Sequence, residues 1–171
     1  MNVIKEMTEW HAHPINPVGS RSVSAKMGFA QPYDVDAAGM RAAFQLRLIV
    51  EKLLWEEEHD CFITDRSASD NLAYSMMHCQ EVGTLKGYRD LVQKTNDRYD
   101  VIFFLPIDSF IKLGGDPARK DDLEYHRYYE GILRGTFTAS MPIVTVSARN
   151  CEERKDFVRQ TMRDFKRRGL F

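Results

Sequence analysis

The chain has 171 residues, with 24 Lys+Arg against 25 Asp+Glu and a net charge of -1. That length supports one sizeable core and is short for two domains, and the even charge balance lacks the footprint of a dedicated nucleic-acid binder. No stretch approaches a membrane span, no signal-peptide pattern is present, and Cys61, Cys79 and Cys151 have neither metal spacing nor the even count of a disulfide framework. The expectation is a single cytoplasmic domain over residues 1–171, acting without a membrane.

Asn2 to Met7 predicts a short strand. From His11 to Asp36, Pro14, Pro17, Gly19, Gly28 and Pro32 interrupt any periodicity, as expected of a binding or covering loop. Ala37 onward turns helical, with Ala43, Leu46, Val50, Leu53 and Leu54 on one face. Cys61 to Thr64 predicts a strand whose Cys61 is a buried free thiol. Helices are predicted over Asp70 to Cys79 and Gly83 to Asn96, the second broken near Gly87. Tyr99 to Ile107 (YDVIFFLPI) and Met141 to Ser147 (MPIVTVS) are continuous apolar runs, as in strands buried on both faces of a parallel sheet. A loop over Gly114 to Lys120, a helix over Asp121 to Leu133 and a terminal helix from Asn150 to Arg168, which Asn150 can cap, complete the order. Strands alternating with helices predict a doubly wound, mostly parallel α/β sheet.

The run CFITDRSASDNLAY, Cys61 to Tyr74, carries the most chemistry. It sets Asp65 and Arg66 at the carboxyl end of a strand, where open α/β sheets bind ligands. A carboxylate there suits deprotonating a hydroxyl or holding magnesium, and a guanidinium suits bidentate contact with phosphate. Phosphoryl transfer needs both. The competing reading is local: Asp65, Ser67 or Ser69 simply starts the following helix. A second candidate is the lid-like segment 114–127, where Gly114-Gly115 gives freedom and Arg119 and Arg127 suit neutralising phosphate oxygens. Its competing reading is an exposed helix with ordinary charge pairs. His11 and His13 lack further convergent metal ligands, and Ser67 and Ser69 lack a glycine-flanked nucleophile elbow.

In order, VIKE (Val3 to Glu6), FQLRLIVEKLLWEE (Phe44 to Glu57), FITDRSASDNLAY (Phe62 to Tyr74), YDVIFFLPI, DPARKDDLEYHR (Asp116 to Arg127) and PIVTV (Pro142 to Val146) resemble the P-loop nucleoside and nucleotide kinases. The likeness is to the AAA-type group that includes nicotinamide riboside kinases and related phage kinases. It spans nearly the whole chain, and its most specific part is the run from Asp65 to Tyr74. The resemblance implies ATP and Mg2+ as cofactors and a nucleoside or nucleotide-like small molecule as acceptor. It makes Asp65 the base or magnesium-organising carboxylate and Arg66 the phosphate holder, with Arg119 and Arg127 closing over the donor. Glu6, Trp10, Gln45 and Asp70 would line the acceptor side, under a covering loop over 11–36 that includes Tyr33. Arg149, in the loop Ala148 to Asn150, would approach the donor base.

The chain departs from that family in having no GxxxxGK(S/T) loop. That loop supplies the family's N–H phosphate cradle and its lysine. The chain therefore reads as N-terminally incomplete, starting at the family's second strand. The absent strand lies mid-sheet, so Cys61 to Asp65 and Tyr99 to Ile107 would each keep an unpaired edge, which is costly when buried. Either the two pair directly, or a partner chain or upstream segment lends a strand. His126 stands where an arginine is expected, and Thr8-Glu9-Trp10 where a basic residue is. The expectation is phosphoryl transfer to a nucleoside-like acceptor if the loop comes from elsewhere. The alternative is a non-catalytic nucleotide-binding or protein-assembly module.

Overall fold

Short apolar runs separated by glycine build the N-terminal third. In the computed structural model, which describes residues 13–78, 82–96, 98–107, 122–147 and 150–170, helix α1 (Ser20–Lys26) starts where the Gly19 N–H donates to Ser22 Oγ at 3.0 Å. It ends at Gly28, whose φ of +86° turns the chain so that the Phe29 N–H reaches the Ser24 carbonyl. Helix α2 (Asp34–Ala37) follows. Val23 and Val35 from these helices are buried against Phe44 and Leu48, with Val18, Met27 and Phe29 around them. The stretch expected to be irregular thus contributes two helices and a core cluster. Its prolines and glycines punctuate short elements rather than forbid them.

Helix α3 (Arg41–Glu57) is about 25 Å long. It buries Phe44, Gln45, Leu48, Ile49, Lys52, Leu53 and Glu56. Its C-terminal half packs on α4 (Ala68–His78) and α5 (Val82–Asn96) through Ile49, Leu53, Ala68, Leu72, Tyr88 and Val92. This corrects the expected face. Leu53 of that face is buried, but Ala43, Leu46, Val50 and Leu54 are exposed, because a second apolar stripe along α3 is the one that meets the neighbouring helices. The expected break at Gly87 is absent too. Helix α5 runs through it, and the burial of Tyr88 and Val92 offsets the roughly 1 kcal/mol that a helical glycine costs.

Strand β1 (Ile102–Phe104) pairs in parallel with β2 (Ile143–Thr145), Ile102 opposite Ile143. Successive side chains take opposite faces. Phe104 and Ile143 pack with Ala73 of α4 and Tyr129 and Leu133 of α6 (Leu123–Gly135). Val101, Phe103 and Val146 pack with Val158 and Met162 of α7 (Cys151–Arg167). The caps are those the sequence favours. The Asp122 carboxylate accepts from Glu124 and Tyr125 N–H, and Asn150 from Glu153 N–H.

The fold is α/β, yet its sheet is smaller than expected. The predicted strand at Cys61 to Thr64 survives only as a parallel bridge, Ile15 to Ile63, held by Asn16 N–H to Ile63 O at 2.8 Å and Ile63 N–H to Pro14 O at 2.9 Å. Among the described residues it does not pair with β1, so a doubly wound sheet is not formed there. Cys61 is exposed rather than buried. Among the described residues no strand covers its other side, and the opening residue of this segment meets solvent. No described helix is long and apolar enough to cross a membrane.

Candidate functional site

The end of the 61–64 segment is built on a polar network from three helices. Ser67 stands just before α4, and its N–H and Oγ both donate to Asp70 Oδ2 at 2.9 Å. Asp70 is thus the carboxylate of a helix cap, three residues in, so the local reading of this run is realised at Ser67 and Asp70. The other oxygen, Oδ1, accepts from Tyr129 Oη of α6 at 3.0 Å and from Arg66 Nη1 at 3.4 Å. The Arg66 guanidinium also lies 5.6 Å from the centre of the Tyr74 ring, and Tyr74 packs on Tyr129 at 4.3 Å. Burial, then the Asp70 carboxylate, pushes the Tyr129 hydroxyl well above its ordinary pKa, so it stays a donor.

Behind this layer lies a fully buried carboxylate. Glu56 accepts from Asn16 Nδ2 at 3.2 Å and from Tyr99 Oη at 3.1 Å, while its backbone carbonyl accepts from Arg98 Nη2 at 2.6 Å. One turn earlier, Lys52 is buried and its Nζ donates to the Asp65 carbonyl at 2.9 Å. Lys52 therefore fixes the backbone that presents Asp65 and Arg66. Burial lowers its pKa, against the pull of Glu56, Asp70 and Asp65. Tyr99 is raised by burial and then by Glu56.

Arg66 has φ of +74°, the only non-glycine residue with positive φ among those described. That conformation costs a residue with a Cβ about 1–2 kcal/mol. Its side chain is nonetheless 45% exposed. Strain of this kind persists where surrounding contacts over-determine it, and it clusters at ligand sites.

Of the residues singled out from the sequence, Arg66 and Asp70 are in contact, and Asp65 adjoins them in the chain. Gln45 is buried on α3, two turns before Lys52, and its Oε1 has no partner among the described residues. Arg127 does not join them. It lies two residues before Tyr129 on α6, on the opposite side of the helix, and is exposed. Glu6, Trp10, Arg119 and Arg149 lie outside the described residues. Lys52, Glu56, Tyr99, Tyr129 and Asn16 were not singled out from the sequence. Lys52 and Glu56, one turn apart among apolar residues on a single helix face, were the available signal.

No family model, curated protein or solved structure matches the chain. The kinase resemblance therefore rests on the residues themselves.

For magnesium, the carboxylate at this strand end with no hydrogen bond among the described residues is that of Asp65, which is exposed. Asp70 already accepts four hydrogen bonds to its two oxygens. Among the described residues no group of three His, Cys, Asp or Glu is placed to hold a metal ion. A single carboxylate fits magnesium only in the mode where phosphate oxygens and water complete its shell.

Lys52 gives this site a pH signature. Its folded pKa is below the usual lysine value of 10.5, so between the two the unfolded chain binds more protons and stability rises with pH. Tyr99 and Tyr129 act in the opposite sense, but only above about 10, where unfolded tyrosine ionises. The urea midpoint should thus climb as pH approaches about 10. Lys52→Met should flatten that climb, and an equal slope in both proteins would rule Lys52 out as its source.

Proposed function

We propose that the Asp65–Arg66 strand end binds a phosphorylated, nucleotide-like small molecule on a kinase-like α/β domain. The observation that carries this is the left-handed, half-exposed Arg66, held over Tyr74 and Asp70 at the end of a strand segment. Helix capping accounts for Ser67 and Asp70; it does not require a strained arginine beside them. Arg66 would grip phosphate oxygens in its planar fork. Asp65, exposed and adjacent, would orient an acceptor hydroxyl and take its proton as the oxygen bonds to the γ-phosphorus of ATP, while the bond from that phosphorus to the β-phosphate oxygen breaks and ADP leaves. Catalysis would come from positioning and charge neutralisation.

The donor half of such a site is not among the described residues. The backbone edge of Phe62 and Thr64, and the edge of β1 turned away from β2, carry no backbone partner there. A doubly wound sheet would be completed by a strand between them, from a partner chain or an upstream segment, which would also bring the phosphate cradle. The absence of a GxxxxGK(S/T) loop from the chain favours a second reading: binding without transfer.

Calorimetric titration with MgATP and with a nucleoside monophosphate tests both. Binding at about 100 μM or tighter is expected for one of them, weakened at least about tenfold by Arg66→Ala. Phosphoryl transfer that Asp65→Asn abolishes would establish the kinase reading; binding without transfer would establish the second. Absence of binding to either ligand, or equal affinity in Arg66→Ala, would remove the site.

A further inference from the structure

We propose that α3 is a self-association surface, on which a second copy of this chain lays its own α3 antiparallel to the first. Leu46, Val50 and Leu54 are 47%, 40% and 55% exposed. At the helical repeat, these three and Glu57 fall within about 40° of one line. They form a continuous apolar stripe, which scattered exposed hydrophobics do not. The same helix turns Gln45, Lys52 and Glu56 into the core. It therefore exposes apolar side chains while burying polar ones, an arrangement favourable when the stripe is covered.

Charge selects the occupant. The exposed side carries Arg47 in its N-terminal half, with its Nε on Glu51 of the same helix at 2.7 Å, and Glu57 and Glu58 at its C-terminal end. Such a stripe matches itself only head to tail. With a two-fold axis at Val50, Leu46 of one helix meets Leu54 of the other. Glu57 then reaches the turn that holds Ala43 and Arg47 of the second copy. Ala43 is exposed and small, leaving room for the carboxylate. Opposed helix dipoles favour the same arrangement, whereas a parallel pair would set like charges together. One helix pair covers less than the ~1,600 Å² of a standard interface, so a dissociation constant of about 10–100 μM is expected.

Sedimentation equilibrium of the full chain across that range tests this. The expected result is a monomer–dimer equilibrium. Val50→Glu should abolish the dimer without changing far-UV circular dichroism. Arg47→Glu should weaken association at least about tenfold. Adding Glu57→Arg to Arg47→Glu should restore it, which no unrelated occupant of the stripe would produce. If Val50→Glu unfolds, the charge-swap pair, confined to the exposed side, carries the test. A monomer at every concentration would overturn the proposal, because the stripe would then be covered by the chain itself or by a different partner. Failure of the swap to restore the dimer would overturn it equally.

Discussion

Glu56→Ala is expected to lower the unfolding free energy by about 3–5 kcal/mol, a large fraction of the roughly 5–15 kcal/mol that holds a domain of this kind together. The carboxylate is fully buried on α3 and accepts from two other segments, at Asn16 before α1 and at Tyr99 before β1. Removing it leaves the Tyr99 hydroxyl and the Asn16 amide without that acceptor, and it strips the buried Lys52 of its largest favourable charge. Buried donors left unmade cost about 1–3 kcal/mol each. Glu56→Gln is the informative control. Asn16 is held by the Val18 N–H on its Oδ1 at 2.9 Å, so the new amide sets its oxygen on Asn16 Nδ2 and its NH2 on Tyr99 Oη; the Tyr99 O–H then loses its acceptor and Lys52 its facing charge. Glu56→Gln should therefore fall between wild type and Glu56→Ala, at about 2 kcal/mol. Urea titrations at pH 7 decide this, and a loss under about 1 kcal/mol for Glu56→Ala would show that water reaches the cluster.

The elements that could be read from the sequence are those whose signals are local. Asp122 and Asn150 mark helix starts because their short carboxylate or amide satisfies N–H groups two or three residues on, and both caps form. Ile102–Phe104 and Ile143–Thr145 lie inside apolar runs too continuous for a half-exposed strand, and they pair in parallel with helices packed on both faces. Tertiary context decided the rest. Helix α3 carries two apolar stripes, Leu46-Val50-Leu54 and Phe44-Leu48-Ile49-Leu53. Periodicity alone cannot say which one α1, α2, α4 and α5 will cover. Taking the first as core hid Lys52 and Glu56, since on that assignment both face solvent.

The same long-range dependence shaped the candidate site. Asp65, Arg66 and Asp70 were legible because they cluster within six residues at a strand-to-helix junction. Their supports come from positions 13 residues upstream, at Lys52, and 59 residues downstream, at Tyr129. Arg127 was the residue singled out on α6, but it lies two residues from Tyr129, more than half a helical turn. The residue facing Asp70 is the tyrosine, which holds the carboxylate in place instead of supplying a second cation.

Arg66→Gly separates what the arginine does for the ligand from what it does for the fold. At φ of +74° a Cβ is strained, and glycine relieves about 1 kcal/mol or more of that cost, offset in part by its freer unfolded chain. Both Arg66→Gly and Arg66→Ala lose the 3.4 Å contact to Asp70 and the guanidinium over Tyr74. At 45% exposure these are together worth about 1 kcal/mol. Arg66→Ala keeps the strain and loses the contacts, so it should be destabilised by about 1 kcal/mol. Arg66→Gly should lie near wild type, more stable than Arg66→Ala by about 1 kcal/mol, the reverse of the usual order of these two residues. Ligand affinity should fall alike in both, since each lacks the guanidinium. An arginine kept only to steady the junction predicts a different pattern: the glycine variant would be the less stable and binding would be untouched. Urea midpoints read beside titrations with the same two phosphorylated ligands distinguish the cases. If Arg66→Ala matches or exceeds Arg66→Gly in stability, the left-handed turn is no reservoir of strain, and the reading of Arg66 as a residue held for its ligand loses its principal support.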